Sequence, residues 1–82
     1  MNDSWFVYIL QCSDGTYYTG ITKDLDRRVA MHNKGVAAKY TRSRTPVRIL
    51  YSEGNFNRIE AMARERAIKS MPRDKKKKLT ES

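Results

Sequence analysis

At 82 residues the chain can form one small domain, 1–82, and has no room for a second one to close over a site. Seventeen Lys and Arg against nine Asp and Glu leave a formal charge of +8 and a pI near 9.9, which points to phosphate backbones as partners. Cys12 is the only cysteine, so an internal disulfide is excluded and a reducing, cytoplasmic setting is expected.

Trp5 to Gln11 is apolar on both alternating sets, with Trp5, Val7 and Ile9 on one and Phe6, Tyr8 and Leu10 on the other. That pattern predicts a strand covered on both faces, at the centre of its sheet. The run is too short for a signal peptide or a membrane span, so no membrane association is expected. Ser13-Asp14-Gly15 is turn chemistry, and Thr16 to Thr19 is rich in aromatic and β-branched residues, so a hairpin follows. A two-residue Asp14-Gly15 turn would put Tyr8 and Tyr18 on opposite faces. A three-residue loop, with Gly15 left-handed in a bulge, sets Leu10 opposite Tyr18 and gives the two phenols one face. The second register is preferred, because it alone lets them converge.

Lys23 to Lys34 is the first predicted helix, with Asp24 as its cap, Leu25 and Val29 as its apolar stripe and Gly35 as its stop. Val36 to Thr45 reads as irregular and basic, and Pro46 closes it. Val47 to Ser52 is the third strand. Asn57 to Ser70 is the second helix, carrying Ile59, Met62, Ala63, Ala67 and Ile68. Pro72 interrupts it, and Arg73 to Leu79, in a basic 73–82 segment, either adds a short helix or frays. The order β-β-α-β-α predicts an α+β fold, a small three-stranded antiparallel sheet flanked by helices.

Phe6-Val7-Tyr8, followed ten residues from tyrosine to tyrosine by Tyr18-Thr19-Gly20, resembles the paired Gly-Ile-Tyr and Tyr-Ile-Gly tripeptides of the GIY-YIG nuclease superfamily. Phe6 and Val7 stand where that pattern has glycine and isoleucine, and Thr19 where it has isoleucine. The likeness continues through Thr22-Lys23-Asp24-Leu25, Arg28, His32-Asn33, Thr41, Pro46-Val47, Glu65 and Ile68-Lys69, and is nearest to short bacterial proteins in which the domain stands alone. The resemblance implies that Tyr8 and Tyr18 are active-site tyrosines, one of them the general base, with either assignment open. It implies that Arg28 holds the scissile phosphate, that His32 lies beside it, and that Glu65 is the metal-ligating carboxylate for Mg2+ or Mn2+. The Asn that larger members carry after that glutamate has no counterpart here.

The chemistry is coherent without the name. Phosphodiester hydrolysis needs an activated water, charge stabilisation on the phosphoryl oxygens and help for the departing oxygen. A free phenol titrates near pH 10, so cations such as Arg28, a protonated His32 or a bound metal would be needed to favour phenolate. The guanidinium of Arg28 matches two phosphate oxygens, and a lone glutamate makes a weak magnesium site that substrate must complete. Lys23, Lys39, Arg42 and Arg44 are expected to flank a groove on the concave sheet face and steer the backbone of DNA rather than RNA onto a monomer. Each residue also has a plainer reading: Tyr8 as core, Arg28 and His32 as one basic helix face, Glu65 as the ion-pair partner of Lys69. Ala61 and Ile68, however, put Glu65 on a partly apolar strip. Two functions stand side by side, a metal-dependent endonuclease and a nucleic-acid-binding module that keeps the fold without efficient cleavage. An adaptor lending a basic face to a larger complex is a third.

Overall fold

A computed structural model describes residues 4–81. In chain order its elements are β1 (Trp5–Gln11), β2 (Tyr17–Thr22), α1 (Leu25–Asn33), α2 (Lys39–Arg42), β3 (Arg48–Phe56), α3 (Arg58–Lys69) and α4 (Arg73–Glu81). The sheet is antiparallel with order β2-β1-β3, so the strand that is apolar on both faces does lie at the centre. On one face Val7 and Ile9 pack with Ala61 and Ile68 of α3. On the other Tyr8, Leu10, Cys12 and Val47 form a second cluster, against which Leu25 and Val29 of α1 pack. Each core is a few side chains deep, and full burial of one such aliphatic residue is worth about 1.5–3 kcal/mol.

The hairpin takes the three-residue register, with Leu10 opposite Tyr18. Gly15 has φ +84°, where a Cβ would be strained, and its N–H donates to the Cys12 carbonyl at 2.9 Å. Helix α1 starts at the predicted cap: the Asp24 carboxylate accepts the Arg27 N–H at 3.1 Å. Helix α3 opens with a full capping box, Asn57 and Glu60 each accepting the other's backbone N–H at 2.8 Å.

Three local expectations are corrected, and one left open is decided. The basic 36–45 stretch is not wholly irregular but contains α2. Strand β3 does not stop at Ser52; it runs to Phe56, because Trp5 pairs with Phe56 and an extra β3 residue is absorbed near Asn55, whose φ is +66°. Ile59 and Met62 do not join the core of α3; they are 80% and 40% exposed, while Ala61 and Ile68 carry the buried face. Of the two alternatives for the segment after Pro72, the short helix is the one found, over Arg73–Glu81. Met71 and Leu79 pack on the first core, and Arg73 donates to the Gly15 carbonyl at 2.8 Å with its guanidinium 4.7 Å from the Tyr17 ring centroid. Among the described residues no helix is long and apolar enough to cross a membrane.

Candidate active site

The hairpin register sets the geometry of the phenols. Tyr8 faces Gly20 across the β1–β2 ladder, and its ring lies over that glycine: a Cβ built on Gly20 would come 2.6 Å from the Tyr8 hydroxyl oxygen and 3.2 Å from Tyr18 Cε2. Any side chain at position 20 would meet the phenol. The rings of Tyr8 and Tyr18 are 6.5 Å apart, tilted by 43°. Tyr8 is 2% exposed and Tyr18 half-buried.

His32, on the last turn of α1, meets the same phenol from the helix side. Its Nε2 is 2.9 Å from the Tyr8 hydroxyl and its Nδ1 is 2.7 Å from Thr41 Oγ1. The Thr41 hydroxyl donates onward to the Ala38 carbonyl at 3.3 Å, which leaves its oxygen to accept from Nδ1–H. The tautomer follows: Nδ1 is protonated, and Nε2 accepts the Tyr8 proton. His32 is fully buried, so it is not the surface cation expected beside Arg28. Burial first, and the Arg28 charge second, hold its pKa below the usual histidine range. The Tyr8 phenol is pushed up rather than down, chiefly by burial and then by Tyr18, with Glu65 adding to the rise and Arg28 opposing it. The phenolate stabilisation expected from a protonated His32 is therefore absent, and the pair is neutral with the proton on oxygen.

A pH dependence of stability follows. The unfolded chain binds a proton at His32 near pH 6.5, whereas the folded chain resists it, so stability is full above that value and falls as pH drops below it. Between the unfolded and folded pKa values the expected slope is at most about 1.4 kcal/mol per pH unit, read by urea unfolding from pH 7.5 downward. His32→Gln should flatten that limb. An unchanged limb in the variant would assign it to other groups.

Arg28, one turn before His32 on α1, is half-buried. Glu65 lies on α3 between the buried Ala61 and Ile68, its side chain 22% exposed and its Oε2 3.2 Å from Lys69 Nζ. The plain ion-pair reading of Glu65 is thus realised. Tyr8, Tyr18 and His32 are in ring contact, and the charges of Arg28 and Glu65 act on Tyr8, although Glu65 sits on the helix that packs against the opposite, Val7–Ile9 side of the sheet. The five predicted residues do not share one open groove: Arg28 lines a hollow of about 330 Å3 and Tyr18 a different one of about 240 Å3. The flanking cations also divide. Lys23 lines the Arg28 hollow, and Lys39 and Arg42 line a third. Arg44 is held by Asp14 at 3.0 Å and by the Tyr40 carbonyl at 2.8 Å, with its guanidinium 4.1 Å from the Tyr40 ring centroid. That makes it a clip between loop and hairpin.

For a divalent metal the donor set is minimal. Among the described residues no three His, Cys, Asp or Glu side chains cluster, and one Glu65 oxygen already faces an ammonium. One hard carboxylate fits Mg2+ or Mn2+ only as part of a shell that water and substrate phosphate finish.

The profile of the GIY-YIG catalytic domain matches residues 4–78. The chain belongs to the GIY-YIG family. A UPF0213 protein of Haloquadratum walsbyi is 52% identical over 81 residues, covering 99% of this chain and 91% of that one. A UPF0213 protein of Staphylococcus aureus is 51% identical over 77 residues, 94% of each. The relatives therefore include archaeal as well as bacterial proteins. The solution structure of the UPF0213 protein BH0048 from Bacillus halodurans superposes with a TM-score of 0.60 at 44% identity, covering 95% of this chain and 83% of that one. The protein EF2693 from E. faecalis gives 0.61 at 38%, covering 95% and 85%. Membership in this family of nuclease domains supports a nuclease-type function and contact with nucleic acid in general.

The candidate site of this GIY-YIG chain also contains residues whose roles the sequence did not reveal. Thr41 fixes the His32 tautomer, and only its place in the family pattern, nine residues after the histidine, marked it out. Asn33 clamps Val47, the residue that leads into β3, its amide oxygen accepting the Val47 N–H at 2.7 Å and its amide nitrogen donating to the Val47 carbonyl at 3.2 Å. Tyr40, 40% exposed, stacks on Tyr18 at 6.1 Å and lines the Tyr18 hollow with Lys69 and Lys76. An aromatic at 40 and a lysine within the 75–78 run carried no signal of their own.

Proposed function

We propose that this GIY-YIG domain is an endonuclease that hydrolyses a phosphodiester bond of DNA with one Mg2+ or Mn2+. The observation that carries this reading is the oriented chain Tyr8–His32–Thr41, a phenol with a dedicated proton acceptor, on which the charges of Arg28 and Glu65 both act.

A water oxygen attacks phosphorus, the bond to the departing oxygen breaks, and the water's proton must go elsewhere. Tyr18, half-buried and facing a hollow, is the phenol placed to hold that water; Tyr8 is the one with a proton path. As the Tyr8 oxygen takes the water's proton, its own passes to His32 Nε2. No free phenolate is required, which suits a phenol whose pKa burial has raised. A phosphate gripped by Arg28 offsets the positive field that keeps His32 neutral, so the imidazole becomes more basic when substrate is in place. Glu65 would hold the metal against the phosphate, with Lys69 releasing it. The chemistry a bound divalent cation supplies is Lewis-acid stabilisation of the phosphoryl and departing oxygens.

The test is cleavage of single-stranded, duplex and branched DNA with Mg2+ or Mn2+, for the wild type and Glu65→Ala. Metal-dependent cleavage by the wild type, reduced at least about a hundredfold in the variant, is expected. The binding-module reading, favoured by the missing Asn and the Glu65–Lys69 pair, expects salt-sensitive binding and equal, negligible cleavage by both proteins.

A further inference from the structure

Trp5 is the only tryptophan in the chain. It opens β1 at the end of the sheet where β2 runs into α1 and α3 begins, and part of its indole packs against the Val7–Ile9–Ala61–Ile68 core. The remainder lines the hollow of about 330 Å3 whose other walls include Lys23, Arg27 and Arg28. Two cations stand over the ring, Lys23 Nζ at 5.6 Å and Arg58 Cζ at 5.9 Å from its centroid. Both distances are near the outer limit of cation–π attraction, and both side chains are long and exposed, so each can swing to a phosphate and leave the ring face to a ligand. A tryptophan serving packing alone would be covered by apolar neighbours. Here an aromatic face, three nearby cations and the arginine beside the Tyr8–His32 pair share one end of the molecule.

Flat aromatic faces bordered by Lys and Arg bind single-stranded nucleic acid by stacking bases and neutralising the phosphates between them. A paired base inside a duplex has no free face to offer. We propose that Trp5, with Lys23 and Arg58, forms a subsite for one unpaired base of the strand whose phosphate lies on Arg28. The subsite rests on the nucleic-acid reading above and adds to it the class of substrate: DNA with an unpaired nucleotide next to the cleaved bond.

Because no other tryptophan is present, the emission of the unmodified full chain reports on this ring. Short single-stranded DNA, a blunt duplex of the same sequence and a duplex with an unpaired overhang are titrated in chelator, so that nothing is cut. Tryptophan emission is recorded alongside the anisotropy of a dye on the DNA. The expected result is saturable quenching by the single strand and the overhang, with the same midpoint as the anisotropy, and none by the blunt duplex. Trp5→Leu should weaken single-strand binding by about tenfold or more, and Trp5→Phe should recover part of the loss. Lys23→Ala with Arg58→Ala leaves the indole in place and should lower the salt dependence of binding, a readout that stands even if Trp5→Leu fails to fold. Binding by anisotropy with unchanged emission, or equal quenching by the blunt duplex, overturns the subsite while sparing the nuclease reading. No binding of any DNA overturns both.

Discussion

Arg28→Ala is expected to lower DNA cleavage by about 10²- to 10³-fold, the usual loss when one preorganised donor to a developing phosphoryl charge is removed. The guanidinium presents two parallel N–H groups to two phosphate oxygens, whereas an ammonium is a single point charge, so Arg28→Lys should restore only a minor part. A second readout separates a catalytic from a merely structural effect. Arg28 is one of the two influences that hold His32 neutral, so its removal must raise the histidine pKa. The acid limb of the stability profile should then become shorter and shallower, because the folded pKa moves closer to the unfolded value near 6.5, in Arg28→Ala and less so in Arg28→Lys. Cleavage within a few fold of wild type in Arg28→Ala would remove the phosphate-clamp role.

Tyr8→Phe is expected to cost about 10²- to 10⁴-fold in rate, the range for loss of a positioned general base or its relay. The same change leaves buried His32 Nε2 without its donor, and an unsatisfied buried acceptor costs about 1–3 kcal/mol of stability. Gly20→Ala attacks the same contact without touching either partner. Its methyl would occupy the space 2.6 Å from the Tyr8 oxygen, so the phenol must move off His32. Because the ring is packed in a small core, about 1–3 kcal/mol of destabilisation is expected, together with a rate loss approaching that of Tyr8→Phe. Unfolding curves and cleavage by the folded fraction check both. A folded Gly20→Ala protein with wild-type rate would show that the placement of Tyr8 is immaterial. Tyr18→Phe should cost less, since Tyr18 has water access without the histidine link.

The parts legible in the sequence are those where local chemistry and periodicity agree. Ser13-Asp14-Gly15 set the hairpin loop, the doubly apolar β1 set the centre of the sheet, and Asp24 and Asn57 set two helix starts. Where pairing overrides local preference, the reading failed. Glu53-Gly54-Asn55 is turn chemistry, yet the strand continues through it, with a bulge at Asn55, because β1 offers partners out to Trp5. Helix α2 has four residues, no side-chain cap and no room for a repeat, so nothing announced it. The five candidate residues could be named from the family pattern, but their electrostatics could not. Whether a histidine on a basic helix is a surface cation or a buried neutral acceptor depends on what packs over it, and that is decided by Tyr8 and Thr41, far along the chain in both directions.

Adjacent residues at the end of α1 point to different places: His32 to the middle of β1, Asn33 to Val47, the residue just before β3. The helix is riveted at two places, and it cannot roll about its axis without breaking both. A domain of this size gains from that arrangement. The entropy of aligning imidazole and phenol is settled when the chain folds, so under the proposed function an arriving strand would meet a proton path already assembled and stiff.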